Sequence, residues 1–379
     1  MTNSIKLLPL SFALFASTAT AANYAIEARG DAMGGVGVVS ANFLTAPFYN
    51  PALTAIYRRN DDLGMILPSI GLTYTDEDSF IDDIDKTVDL IDKVKTDPSQ
   101  VSALEASLSD LRGDQLKVEL GGVVAFALPN QFVAANLFGK AYTESFVNPV
   151  IPDTGDAATD ASNSKIQAVS VGVTEVGMAL AKYQTFMGQH IAFGVSPKLQ
   201  RVYTYVYEAS LSDYELKDLR ENSTGETVLN ADAGVVWFYG PLRAGISASN
   251  ILGRDIKTKA MPSNPQQTFE YKLRPHYTVG FGLVADYATL SVDYDLNEEE
   301  RYTGFADNTQ MIRVGGEVDL LRQLKLRAGW KRNLAYDDLD DTVTAGIGLS
   351  PLNLFQLDIG ASYTNKDSVG GYINFLTSY

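Results

Sequence analysis

The 379-residue chain has no cysteine and only two histidines. Without thiols, disulfide exchange and thiolate metal sites are excluded. His190 and His276 fall in separate strand-like segments, and no Ser-His-carboxylate spacing accompanies them, so no catalytic residue is assigned. His276, following Pro275, reads as a rim residue rather than a base. The acidic groups Asp82-Asp83-Asp85, Asp153 to Asp160, Glu298 to Glu300 and Asp337 to Asp341 lack EF-hand spacing. No metal and no cofactor are expected; the clusters read as solvated loops, with loose ion-bridged contact to lipopolysaccharide as the alternative. Positive charge is also scarce. Thirty Lys and Arg stand against 46 Asp and Glu, a net charge of −16. Such a surface repels phosphate backbones, so direct nucleic-acid binding is not expected. Beyond the first 21 residues no uninterrupted apolar run reaches about 18 residues, which excludes helical membrane spans. Membrane insertion, if it occurs, has to come from strands that hide apolar residues in alternation.

What is present begins with a leader. Lys6 supplies a positive start, Leu7 to Ala16 an apolar centre and Ala19-Thr20-Ala21 a small-residue cleavage site. Residues 1–21 therefore read as a secretory signal peptide, 22–62 as an N-terminal plug and 63–379 as a barrel. Period-two alternation and turn residues mark fourteen strands near 63–75, 117–128, 131–142, 166–183, 189–207, 228–239, 241–249, 271–285, 287–296, 310–320, 323–332, 342–350, 353–364 and 369–379. Connections after even-numbered strands are tiny, as at Pro129-Asn130 and Leu321-Arg322. Those after odd strands are mostly long and acidic. Alternating short and long loops predict an all-β, transmembrane antiparallel barrel with short turns on one rim and external loops on the other.

Side-chain alternation assigns the two faces. Ile191, Phe193, Val195 and Leu199 oppose Ala192, Gly194, Ser196, Lys198 and Gln200, and the first face continues as Tyr203, Tyr205 and Tyr207. Apolar residues giving way to aromatics suit a lipid belt with an interfacial girdle. Asp293, Arg313, Glu317, Lys325 and Arg327 fall on the opposite set and are expected to line the lumen. In 166–183, Val169, Val171 and Val173 are odd whereas Val176, Met178 and Leu180 are even. Keeping one face apolar then requires a bulge at Thr174 or Glu175. Between the first two strands, Ile81, Ile84, Val88, Ile91 and Val94 recur at helical spacing. Asp97-Pro98 then starts a second helix with Val101, Leu104, Leu108 and Leu111. This predicts an external helical insertion at about 80–112, whose stripes pack on each other or meet an envelope protein.

Residues 27–53 are rich in Gly, Ala and Val and too broken for a regular element, so they need another element to bury them. Ala28-Arg29-Gly30, Met33-Gly34-Gly35-Val36-Gly37 and Phe48-Tyr49-Asn50-Pro51-Ala52 resemble the N-terminal hatch of the outer-membrane long-chain fatty-acid transporter (FadL-like) superfamily. Within it the resemblance is to the plasmid-transfer TraF-like branch. The resemblance implies a hatch in the lumen, with Arg29, Asp31, Gly34, Gly35, Gly37, Asn50, Pro51 and Ala52 as hatch or gating positions. It also implies a Gram-negative outer-membrane location among lipid and lipopolysaccharide, and uptake of a hydrophobic or amphipathic small molecule. The alternative it carries is a non-transporting envelope protein of conjugative plasmid transfer, with an envelope protein as partner. Members of the superfamily have a strand kink that opens a lateral exit, a role open to the bulge at Thr174 or Glu175. Gly35-x-Gly37-x-x-Ser40 also looks like a dinucleotide fingerprint, but its third position is Ser and a leader precedes it.

Overall fold

A computed structural model describes residues 26–57, 63–76, 79–211, 223–261, 264–303, 305, 307–336, 339–351 and 355–378. The leader, the flanks of the plug at 22–25 and 58–62, Asp337 and Tyr379 lie outside these residues. Fourteen strands close into one antiparallel ring. In chain order the strands are β1 Gly64–Asp76, β2 Leu116–Leu128, β3 Ala134–Val150, β4 Lys165–Phe186, β5 Gln189–Ser210, β6 Ser223–Tyr239, β7 Leu242–Ser249, β8 Arg254–Lys257, β9 Glu270–Leu273, β10 His276–Val284, β11 Ala288–Asp295, β12 Met311–Leu320, β13 Leu324–Asn333, β14 Thr342–Leu349, β15 Gln356–Asn365 and β16 Ser368–Ser378. All except β8 and β9 belong to the ring, and β1 pairs with both β2 and β16 to close it.

Every ring strand turns large apolar residues outward. Ile70, Val124, Leu137, Val176, Val195, Leu229, Ile246, Phe281, Leu290, Val318, Leu326, Ile347, Ile359 and Ile373 are each 41–66% exposed. A belt of that extent is far larger than the apolar patches a water-exposed monomer tolerates. The alternate positions point inward and are buried, among them Ser196, Gln200, Asp293, Arg313, Glu317, Arg327 and Asp358.

Several boundaries differ from the sequence-based expectation, two of them with consequences for the mouth; β6, for one, starts at Ser223 and not at 228. The strand expected at 271–285 is interrupted at Arg274-Pro275: Glu270–Leu273 pairs with Arg254–Lys257 in a separate two-stranded sheet, and the ring strand starts at His276. Proline cannot donate to a ladder, so the break falls there. The loop expected at 143–165 is shorter because β3 runs on to Val150. The rest of it holds helix α4, Ala157–Asn163.

Helices α2 (Phe80–Val94) and α3 (Val101–Asp110) lie between β1 and β2. Asp76, the last residue of β1, accepts from the backbone N–H of Phe80 (2.6 Å) and Ile81 (3.3 Å) and so fixes the first turn of α2. Phe80 and Ile84 pack against Leu116, Ile166 and Leu211 at the outer strand ends. Leu104 and Leu108 pack with Leu90, Ile91, Val94 and Ala157. The two apolar stripes thus meet each other and the barrel rim.

The ring is uneven in height. β4 and β5 have 22 residues each, whereas β7, β11 and β14 have eight. The tall side meets a strap made from two loops, between β7 and β10 and between β11 and β12. Tyr271 of β9 bridges to Tyr302, the Lys272 N–H donates to the Arg301 carbonyl (2.7 Å) and the Thr303 N–H to the Glu270 carbonyl (3.1 Å). Ile256, Met261, Phe269, Tyr271, Leu273, Tyr302 and Phe305 of this strap form one core with Phe146, Val169, Val171, Val173, Val202, Val206 and Val228 of β3 to β6.

Candidate functional site

Residues 26–57 lie inside the ring, most of them fully buried. Glu27 caps the short helix α1 (Ala28–Asp31) by accepting from the N–H groups of Gly30 (2.7 Å) and Arg29 (3.0 Å). Gly34 and Gly35 follow at φ +73° and +84°, a left-handed conformation that side-chain-bearing residues rarely adopt. The chain thereby turns back under Tyr49, whose ring rests on Gly37 and whose hydroxyl donates to Glu27 (3.2 Å). Asn50 caps the turn Pro51–Ala55, accepting from the Ala52 N–H (3.1 Å) while its amide donates to the Val38 carbonyl (3.0 Å). Pro51 takes the first position of that turn, where no N–H is missed. Ala52 packs with Ala192 of β5 and Val236 of β6. Asn50→Ala is expected to cost about 1 kcal/mol at this cap. Amide exchange at Ala52 and Leu53 checks it, and unchanged exchange there overturns the assignment.

Phe43 and Leu44 of the plug pack with Ile66, Ala125, Ala127 and Phe138 of the wall, and polar bonds add to this packing. Arg29 makes a two-pronged ion pair with Glu317 of β12 (3.1 Å for both bonds) and donates to the Ser40 carbonyl (2.9 Å). Glu317 also accepts from Arg327 of β13 (2.7 Å), and Arg327 reaches Asp358 of β15 (2.7 Å). Asn374 of β16 donates to Asp358 (3.3 Å) and accepts the Ala28 N–H (2.9 Å), which returns the chain of bonds to the plug. Lys325 stands beside this network, on Ser350 (3.2 Å) and Gln356 (2.5 Å). A second anchor is Asp293 of β11, whose carboxylate accepts from the N–H groups of Gly37 (2.7 Å) and Val38 (3.0 Å). Thr344 of β14 accepts from the Gly34 N–H (2.8 Å) and donates to the Ala32 carbonyl (3.0 Å). Charged groups taken out of water need pairing of this kind.

Arg313 pairs with Asp295 (2.7 Å), which also accepts from His276 Nε2 (3.1 Å). His276, the first residue of β10, is buried and turned inward at the end of its strand. Asp31 accepts the Glu27 N–H (3.0 Å). With Asp293, Asp295, His276 and Arg313 it lines a cavity of about 70 Å³ between plug and wall. That volume holds a few waters and no chain-length apolar molecule.

The bulge expected at Thr174 or Glu175 is absent. Ala141 pairs with Thr174 and Lys140 with Glu175, and pairing with Arg201 and Gln200 on the other side is equally unbroken. Val169, Val171 and Val173 point inward together with Glu175, and Val176 points outward. The apolar face therefore changes because the strap covers the inner face at the tall end, and no register slip is needed. The wall's register shifts instead in β1, in both ladders between Ile66 and Ile70, and between Tyr363 and Asn365 of β15. Pro68 offers no N–H there, and Ser69 Oγ donates to the Ile26 carbonyl of the plug (2.9 Å).

The sequence reading missed Asp358, Asn374 and Thr344. Their signal was a polar residue at an inward position of a short apolar strand, as Asp358 is between Leu357 and Ile359.

Comparison with known proteins follows from this geometry. The profile of a family described as "F plasmid transfer operon, TraF, protein" matches residues 47–295. Among solved structures, the toluene transporter TbuX of Ralstonia pickettii is 11% identical with a TM-score of 0.54, over 93% of this chain and 98% of that one. A Pseudomonas aeruginosa FadL homologue is 11% identical with a TM-score of 0.54, over 96% and 99%. A deletion mutant of the monoaromatic hydrocarbon channel TodX is 10% identical with a TM-score of 0.56, over 94% and 98%. At these identities the likeness is one of fold: a FadL-type fourteen-strand barrel. No curated protein matches the chain.

Proposed function

The chain belongs to the family described as F plasmid transfer operon, TraF, protein, and on that footing we propose that it is an outer-membrane uptake channel for a hydrophobic or amphipathic small molecule, with the N-terminal segment as its hatch. The observation that carries this reading is how the lumen is closed. A plug whose described residues share no strand with the ring is held by apolar packing and by side-chain bonds, among them Arg29 to Glu317 and Asp293 to Gly37 and Val38. Bonds of that kind exchange with water as the plug shifts, whereas the strand ladders of the ring stay intact. Its barrel is shared with a toluene transporter and a monoaromatic hydrocarbon channel, which supports the substrate class. The outward apolar belt supports insertion in the outer membrane of a Gram-negative bacterium, with strap and helices outside.

Cells lacking their own fatty-acid importer and expressing the chain are expected to take up radiolabelled oleate or naphthalene faster than vector controls. Equal rates for both probes, with folded protein in the outer membrane, overturn the reading. Family membership favours one second reading, a non-transporting envelope protein of plasmid transfer. It predicts that deletion in a donor strain lowers mating frequency while uptake stays unchanged, and that an envelope partner is recovered through residues 80–112.

A further inference from the structure

The strap crosses the mouth from one wall to the other. Its Arg301 lies in the loop between β11 and β12, yet it pairs with Glu144 of β3. Around the ring, β3 is six strands from β11 and seven from β12, the opposite side of a fourteen-strand circle. Both partners are buried, Arg301 at 1% exposure and Glu144 at 0%. Lys117 of β2 also reaches Glu144 (3.1 Å). Beside this ion pair, Tyr302 donates through its hydroxyl to the Ser170 carbonyl of β4 (2.9 Å). The Tyr302 ring meets Phe146 edge-on at 6.5 Å and Tyr271 at 5.3 Å, and Phe305 meets Phe269 at 5.0 Å.

Two opposed effects hold the strap. Its aromatic and aliphatic side chains lose water against the valine wall, which favours closure. Its buried ion pair has given up hydration, which favours opening. Inward valines at the rim of an open barrel would be exposed to water, so their presence at Val169, Val171, Val173, Val202 and Val206 implies a surface meant to be covered by something apolar.

We propose that this valine wall is a receiving site for a neutral, ring-bearing apolar molecule, and that the strap occupies it in the resting channel as a built-in competitor latched by Arg301 and Glu144. The class follows from what now fills the site: Phe269, Tyr271, Tyr302 and Phe305 contribute four rings, and the adjacent cations Arg301 and Lys117 are engaged by Glu144. An incoming ring system takes over the contacts of these side chains, the strap lifts, and Arg301 and Glu144 regain water. The inference rests on the uptake reading and adds its entry site.

The absence of native cysteine makes the test direct. Single cysteines are placed at Ile256 of the strap and, separately, at Val202 of the wall, in purified full-length protein in lipid nanodiscs. Labelling by a water-soluble maleimide is then timed. Naphthalene is expected to speed labelling of I256C at least tenfold, and E144Q is expected to do so without any probe. In the E144Q background naphthalene is expected to slow labelling of V202C, because the guest now covers the wall. If neither naphthalene nor E144Q changes I256C labelling, the strap is not a lid and the proposal falls. If laurate protects V202C and naphthalene does not, the ring-bearing class is wrong. Phe269→Cys replaces Ile256→Cys should the latter fail to give a heat-modifiable barrel. Labelling is read without transport, so a chain that takes up no probe but responds here loses the uptake reading and keeps the strap site. Uptake without any labelling response does the reverse.

Discussion

Gly329→Val is expected to unseat the plug and leave the barrel standing. A Cβ at Gly329 would lie 2.2 Å from both the Gly34 nitrogen and the Met33 carbonyl carbon. Both are backbone atoms of the plug, so no rotamer change relieves the clash. Gly315, its partner in the β12–β13 ladder, is pressed as closely: a Cβ there would stand 1.9 Å from the Met33 carbonyl oxygen. Valine suits a strand, and the ring's own hydrogen bonds do not involve the lost hydrogen. Overpacking of about 3 kcal/mol moves the plug from docked to released by roughly a hundredfold. Cells producing the variant should become sensitive to vancomycin, a solute too large for intact porins, while the purified protein keeps its heat-modifiable band. Wild-type resistance with the variant folded in the membrane sinks the claim that these two glycines are the seat of the plug.

Arg327→Leu should have the largest effect on stability. The guanidinium is fully buried between Glu317 and Asp358, each at 2.7 Å. Removing it leaves Asp358 without its cation and Glu317 with Arg29 alone. Deleting one member of a buried ion pair costs about 3–5 kcal/mol. Because Glu317, Arg327 and Asp358 sit on three wall strands, the loss falls on the ring as well as the plug. The temperature at which the folded band converts to the unfolded one in gels is expected to drop clearly. Arg29→Leu separates the two contributions: Glu317 keeps Arg327, so the conversion temperature should barely move, while residues 26–57 become open to protease. If Arg327→Leu leaves the conversion temperature unchanged, the network does not hold the wall.

The fold was legible because its signals are local. Alternation of apolar and polar residues, turn residues and loop lengths each sit within a dozen positions, and all fourteen ring strands follow from them. Pro275 shows the limit: the proline marks where a ladder breaks, but nothing nearby tells that Glu270–Leu273 pair with Arg254–Lys257. The valines of β4 show it again. Their inward phase looks like a register slip until the strap, through Ile256, Met261, Phe269, Tyr271, Leu273, Tyr302 and Phe305, is seen to cover them. Charges at Arg29, Asp293, Glu317 and Arg327 stand out in the sequence as inward or plug positions. Which carboxylate meets which cation does not.

The amino-acid sequence by itself determined a strand-built, cysteine-free, acidic barrel with short turns on one rim, long loops on the other and two helices after the first strand. Only the tertiary structure decided the pairing of Arg29 with Glu317, 288 positions away, the closing role of Asp358 and Asn374, the wall glycines under Met33 and Gly34, and the strap latched to Glu144. The reason is physical. Pleat, pattern and turn chemistry act between neighbours in the chain, whereas contacts across a lumen depend on how a closed ring sets the rotation and height of every strand at once. One residue's shift at any seam would present a different set of side chains to the interior.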